Sequence, residues 1–266
     1  MYLCQIISIN TKDKMKNNTP FDFMVFSSLL PHVSETDYQQ LQLVIASLKA
    51  MTRVTHRSIY VLDYYRKNFL YVSPNPLLLC GMEATEILRL GFTFYQEFID
   101  ANELAHLASI ANNTRNFFFN FATEQLCDFS LSCNIHLLQR QGKPILVNHQ
   151  LTPLCLTPDK KAIWLALGFV SLPETTEKYA IIRNNQTLQQ WKLEEQTWTL
   201  CDKLNLKELE RAMIRLASRG CTIEQIAEQV GKSPDTVKSY RRELFARLGV
   251  KNMNEAVTYC YNHKLL

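Results

Sequence analysis

An α+β chain in two parts is predicted by three features of this 266-residue sequence. Strand-like runs broken by short polar turns fill the middle. Apolar residues at helical spacing, punctuated by glycines, fill the last quarter. The surplus positive charge sits wholly in that quarter. The expected architecture is an antiparallel sheet with flanking helices, followed by an all-α domain of four helices. From Asp202 to Leu266 there are 12 Lys+Arg against 8 Asp+Glu, and the totals of 29 and 25 leave 17 of each for Met1 to Cys201. Such asymmetry is expected where one domain faces a polyanion and the other does not.

In the last quarter, Leu206, Leu209, Met213, Ile214, Leu216 and Ala217 recur at three-four spacing, and Gly220 stands where a C-terminal glycine belongs. Thr222 caps a short second helix that turns Ile223, Ile226, Ala227 and Val230 inward and stops at Gly231. Ser233 caps a third, with Pro234 at its first position. Ala227, Gly231 and Val237 are the parts of a helix-turn-helix: a small residue for a close crossing, a glycine to turn the chain, a branched side chain to lock the second helix. A fourth helix starts near Met253, with Ala256, Val257, Cys260 and Tyr261 on one stripe that is either core or a dimer seam.

At about 100° per residue, the third helix puts Val237, Tyr240, Leu244 and Leu248 on one side and Asp235, Lys238, Ser239, Arg242 and Ala246 on the other. The polar side is the candidate reading face, with Lys238 and Arg242 one turn apart and Ala246 keeping the far end slim. Arg241, at the apolar boundary, packs its stem and reaches a phosphate with its head.

Glu210, Gly220, Ile226-Ala227-Glu228, Gly231, Ser233, Thr236-Val237-Lys238, Leu244-Phe245, Leu248-Gly249-Val250 and Glu255-Ala256-Val257 together resemble the LuxR-type family of bacterial helix-turn-helix domains, from about Leu204 to Leu266. The resemblance implies duplex DNA as partner, contacts from Thr236, Lys238 and Ser239, and a fourth helix that supports a homodimer. Lys207 replaces the usual Thr, which weakens the cap of the first helix, and Lys232 replaces an aliphatic residue, which adds a phosphate contact. The full candidate DNA-binding set is Thr222, Lys232, Ser233, Asp235, Thr236, Lys238, Ser239, Arg241, Arg242 and Arg247.

Upstream, residues 1–33 read as an irregular segment, with Met1 or Met15 as the true start, and Ser34 to Arg53 as one amphipathic helix turning Tyr38, Leu41, Val44, Ile45 and Leu48 inward. Ser58 to Asp63 and Asn68 to Ser73 form a hairpin. Glu83 to Leu90 and Ala101 to Asn112 are helices; Phe129 to Gln139, Lys143 to Leu156 and Ala162 to Leu172 are strands. Tyr60-Val61-Leu62-Asp63, Tyr71-Val72-Ser73-Pro74-Asn75, Gly81-Met82, Ile99-Asp100-Ala101-Asn102-Glu103-Leu104 and Trp164-Leu165-Ala166-Leu167-Gly168, in that order, resemble a PAS sensor domain over residues 54–172. The resemblance implies either a small ligand or cofactor held between sheet and helices, or dimerisation alone. Residues 173–201 form a connector whose alternating runs, Tyr179 to Arg183, Gln189 to Leu193 and Thr197 to Leu200, predict a β-hairpin that packs Trp191 and Trp198 and transmits sensor movement.

The ligand itself is not readable, so the cofactor is unknown. Cys80, Cys127 and Cys133 lie in no flavin-reactive string; His106 reads first as a surface or packing residue rather than a haem ligand; Phe117, Phe118, Phe119 and Phe121 read as core before pocket lining. The eight cysteines include no C-x-x-C pair, which points to reduced thiols in the cytoplasm. Nothing matches a phosphate-cradling glycine cluster, a Gly-x-Ser-x-Gly elbow or a His-Glu-x-x-His helix, so no enzyme is expected. No apolar stretch reaches the roughly 18 residues that span a bilayer. The reading is a one-component regulator that acts on double-stranded DNA as a homodimer, with RNA polymerase and a small-molecule effector as further candidate partners. A protein-binding adaptor and a sigma-like promoter-binding protein are the alternatives.

Overall fold

Strand β1 (Ser58–Asp63) is buried along its whole length, which explains why its sequence, Ser-Ile-Tyr-Val-Leu-Asp, shows no polar alternation: both faces are covered. The fold was obtained as a computed structural model that describes residues 32–173, 176–201, 205–262 and 265–266. The expectations for residues 1–31 lie outside the described residues. Two units result, Met1–Cys201 and Asp202–Leu266.

In the first unit, β1 lies between β2 (Asn68–Val72) and β5 (Ile163–Ser171), followed by β4 (Ile145–Leu156) and β3 (Phe129–Leu137), every pair antiparallel. Three helices and a long fourth, α3 (Pro76–Leu79), α4 (Ala84–Leu90), α5 (Thr93–Phe98) and α6 (Ala101–Phe118), connect β2 to β3 and cover one face. That is the PAS-like sheet with flanking helices. Asp100 caps α6 by accepting from the backbone N–H of Asn102 and Glu103 at 2.8 and 3.0 Å. The helix continues past Asn112 to Phe118, because Ile110, Ala111, Thr114 and Phe118 keep its buried stripe going. A 3-10 turn, Thr123–Asp128, leads into β3.

The other face of the sheet takes the N-terminal helix. Instead of one helix from Ser34 to Arg53 there are two, α1 (Glu35–Gln40) and α2 (Gln42–Met51), broken at Leu41, whose N–H turns to Tyr38 O at 3.1 Å. The break falls between two anchors. Leu41 is buried, and the Tyr38 hydroxyl donates to Asp63 Oδ2 at 2.6 Å while accepting from Trp164 Nε1–H at 3.3 Å. Burial holds the Asp63 carboxyl above its ordinary pKa, and Arg66 lies over the Tyr38 ring at 3.7 Å.

The connector strands do not stand apart. β6 (Ala180–Asn184) pairs with β3, then β7 (Gln190–Glu194) and β8 (Thr197–Leu200) follow, making one eight-stranded sheet in the order β2-β1-β5-β4-β3-β6-β7-β8. Trp191 and Trp198 pack on Phe117 at ring separations of 5.1 and 6.2 Å, and Phe121 and Phe129 complete the cluster. Phe119 stays 65% exposed, so three of the four phenylalanines are packing residues.

In the second unit, α7 (Glu208–Ala217), α8 (Ile223–Gln229), α9 (Pro234–Leu248) and α10 (Met253–Asn262) make the four expected helices. Met213, Ile226, Ala227 and Val237 form one core; Leu206, Ile214, Leu244, Leu248, Ala256 and Cys260 form a second. Ala256 and Cys260 of the α10 stripe are therefore core, whereas Tyr261 is 65% exposed.

One close approach in the first unit is testable. Gly168 of β5 stands opposite Tyr60 of β1, and a Cβ there would lie 2.1 Å from the Tyr60 ring. Gly168→Ala should therefore destabilise the first unit by about 1–3 kcal/mol through overpacking. An unchanged urea midpoint by tryptophan fluorescence would show that the ring moves aside freely.

Candidate nucleic-acid interface

The turn between α8 and α9 decides what α9 presents. Thr222 accepts from Gln225 N–H at 3.3 Å and Ser233 from Thr236 N–H at 3.2 Å, so each helix starts at a side-chain cap. Between them Gly231 takes φ +62°, and Lys232 N–H closes the end of α8 on Ala227 O at 2.9 Å. Nothing lies within 4 Å of a Cβ placed at Gly231, so the glycine is required by its backbone conformation and not by space. With Ala227 and Val237 both buried in one cluster, α9 has a fixed inner side and its remaining surface faces outward.

That outer surface carries most of the residues expected from the sequence. Thr222, Lys232, Ser233, Asp235, Lys238, Ser239 and Arg242 are exposed; Thr236 is half-buried. Lys238 pairs with Asp235, Nζ to Oδ1 at 3.1 Å, both on the surface. An exposed pair of this kind is worth at most about 1 kcal/mol, so a phosphate or base edge can take the ammonium over. Arg242 forms no ion pair among the described residues. Arg241 is half-buried with its guanidinium 5.8 Å from the Phe245 ring centre, which matches a packed stem at the apolar boundary.

Arg247 is placed differently from the rest. Its Nη2 donates to Glu210 Oε2 at 2.6 Å, and Glu210 is fully buried. The same carboxylate oxygen accepts from Lys207 N–H at 2.7 Å, so it also closes the start of α7 where a threonine cap is missing. In the sequence Glu210 is marked only by the LuxR-type resemblance; its role as the acceptor that ties α7 to α9 becomes visible once the two helices are packed. Lys207 Nζ lies 5.8 Å from the Tyr240 ring, a second α7–α9 contact that spacing does not reveal.

The first unit holds a buried polar group that no local pattern reveals. His149 of β4 and Tyr60 of β1 meet, Nδ1 to hydroxyl at 3.1 Å, and burial pushes the imidazole pKa down to about 3, so the ring is neutral. His149 Nε2 has no hydrogen-bond partner among the described residues. Cys133 stands opposite His149 in the β3–β4 ladder, and burial raises its thiol to about 12. His106 is half-buried on α6 with its pKa lowered by burial, then by Lys178. No cluster able to hold a metal ion occurs among the described residues, and no helix there is long and apolar enough to cross a membrane.

Residues 188–260 match the family model described as bacterial regulatory proteins, luxR family. The C-terminal unit is a LuxR-type helix-turn-helix domain. No curated protein matches the chain. Among solved structures, a phage VqmA–DPO complex is similar at 17% identity and TM-score 0.31, covering 86% of this chain and 90% of that one. A Vibrio cholerae VqmA dimer without target DNA is similar at 15% identity and TM-score 0.33, covering 83% and 88%. A PAS domain from Colwellia psychrerythraea is similar at 13% identity and TM-score 0.35, covering 48% and 97%. At such TM-scores the fold assignment rests on the strand order and helix packing above.

If Arg247 acts chiefly as the brace of Glu210, Arg247→Ala should weaken the second unit by about 1.5–3 kcal/mol, the range for a hydrogen bond to a charged group. All three tryptophans, Trp164, Trp191 and Trp198, belong to the first unit. Thermal unfolding of the full chain followed by far-UV circular dichroism should thus shift to lower temperature while the fluorescence transition stays put. Arg247→Ala curves that coincide with those of the wild type by both probes would rule out the brace.

Proposed function

We propose that this protein is a homodimeric, one-component bacterial transcription regulator whose α9 enters the major groove of duplex DNA. The observation that carries the reading is the outward face of α9 in a LuxR-type domain, with Lys238, Ser239 and Arg242 exposed on a helix whose opposite side is locked by Val237, Leu244 and Leu248. Thr236, Lys238, Ser239 and Arg242 are assigned to base edges, and Thr222, Lys232, Ser233 and Arg241 to phosphates on either side. Asp235 holds Lys238 poised until DNA displaces it. Arg247 serves the interface by fixing α9 against α7. Two such helices sit about 34 Å apart on an inverted repeat, one helical turn of B-DNA. The protein acts in the cytoplasm, carries out no chemical step of its own, and meets RNA polymerase at the promoter.

The first unit is assigned the sensing role. Its effector is a small molecule lodged between sheet and helices, where His149 Nε2 offers a buried hydrogen-bonding atom without a partner among the described residues. An uncharged ligand suits the site, since His149 stays neutral throughout the physiological range and supplies no counter-ion.

The test uses the full chain and a duplex selected from a random-sequence pool. Affinity should fall about a thousandfold or more between roughly 50 and 200 mM salt if about six phosphates are contacted. Lys238→Ala and Arg242→Ala should each lose about 1–3 kcal/mol of specific binding and relax the selected sequence, whereas Lys232→Ala should weaken all sequences alike and flatten the salt slope. Unchanged footprints in both Lys238→Ala and Arg242→Ala would defeat the assignment.

A further inference from the structure

We propose that residues 21–30 of this same chain dock on the outward face of α2 and complete the packing of the first unit. α2 is apolar on two sides. Its inner side sends Val44, Ile45 and Leu48 against the sheet. Its outer side presents Leu43, Ala46, Ala50 and Met51, and Val54 continues the stripe just past the helix end, at the three-four spacing of one face. Leu43 is 77% exposed and Val54 87%. The one hydroxyl among them, on Ser47, is turned back to donate to Leu43 O at 2.9 Å, so the outer side offers no free polar side chain. A helix that is apolar all round is normally covered all round.

Three properties identify the cover. It has to be apolar, to match the stripe: seven of the ten side chains at 21–30, Phe-Asp-Phe-Met-Val-Phe-Ser-Ser-Leu-Leu, are apolar. It has to carry an acid. Lys49 and Arg53 line one border of the stripe, exposed and in no ion pair among the described residues, and no Asp or Glu occurs from Tyr38 to Leu62 to neutralise them. Asp22 is the only charge in residues 21–30. Finally, the cover has to be within reach. Leu30 precedes by three residues Val33, which is buried in one cluster with Leu41 and Leu48. The stripe from Leu43 to Val54 is about 16 Å long at the helical rise, and ten residues reach about 15 Å as a helix or about 33 Å extended. Laid back from the Leu43 end, they bring Asp22 toward Arg53. A tether this short gives an effective concentration on the order of millimolar, which favours the chain's own segment over a second copy. The inference does not depend on DNA binding.

The test uses the full-length chain with Leu43→p-benzoylphenylalanine, a position exposed enough that the substitution leaves the inner packing alone. It is mixed with heavy-isotope-labelled wild-type chain and incubated until native mass spectrometry shows complete exchange of any dimers. After irradiation, cross-linked peptides are mapped by mass spectrometry. The expected product joins position 43 to residues 21–30 within the light chain. Asp22→Lys should lower its yield severalfold, and adding Lys49→Asp and Arg53→Asp to that variant should restore it. Light–heavy pairs would put a second copy on the face, and a position 43 that links to nothing in residues 21–30 would leave it without this cover; either result overturns the proposal.

Discussion

The crossing of α8 and α9 is the constraint from which the proposed DNA-binding surface follows. Ala227 is small enough to let the helices meet, Gly231 takes the left-handed conformation that turns the chain between them, and Val237 fills the corner. Once those three are set, the helical period fixes everything else on α9: Leu244 and Leu248 fall inward with Val237, and Lys238, Ser239 and Arg242 fall outward. On this outward face Lys238 pairs with Asp235, whereas Arg242 has no ion pair among the described residues. Rigidity is delivered from behind, by two small cores and by the buried carboxylate of Glu210, which binds both the start of α7 and Arg247 near the end of α9.

The N-terminal unit is organised by close approach across its sheet. Gly168 makes room for the Tyr60 ring, and the Tyr60 hydroxyl meets His149, so a glycine on β5, a tyrosine on β1 and a histidine on β4 form one buried arrangement across adjacent strands. On the opposite face Tyr38 of the leading helix donates to the buried Asp63 carboxyl and accepts from Trp164 Nε1–H. His149 Nε2 is one of the buried side-chain atoms of this unit without a partner among the described residues, together with Asn75 Oδ1, Thr114 Oγ1 and Trp198 Nε1.

Legibility differed between the units for physical reasons. In the C-terminal unit α8 and α9 begin at the capping residues Thr222 and Ser233, with Pro234 first in α9, and α7, α8 and α9 end near glycines with positive φ, local signals that need no tertiary context. The strands β1, β3, β4 and β5 were also readable to within two residues at each end, because β-branched and aromatic runs are bounded by polar turns. The short helices Pro76–Leu79 and Thr93–Phe98 and the 3-10 turn Thr123–Asp128 span too few residues to establish a period. The break at Leu41 depends on Tyr38 reaching Asp63, a contact 25 residues away. Similarly, the predicted connector strands were real, but their membership of the main sheet depends on pairing between β6 and β3 that no local pattern encodes. Within the candidate site, exposure of Lys238 and Arg242 followed from helical geometry; the engagement of Arg247 by Glu210 joins residues 37 apart in sequence and did not.

The most direct measurement is an amide chemical-shift titration of the full-length protein with a selected duplex. The largest changes should fall on the Ser233–Ala246 stretch and on the Thr222 and Lys232 amides around it, with the β-sheet signals of the first unit unmoved. Saturable, sequence-dependent binding that leaves the α9 amides unperturbed would contradict the assignment of α9 to DNA.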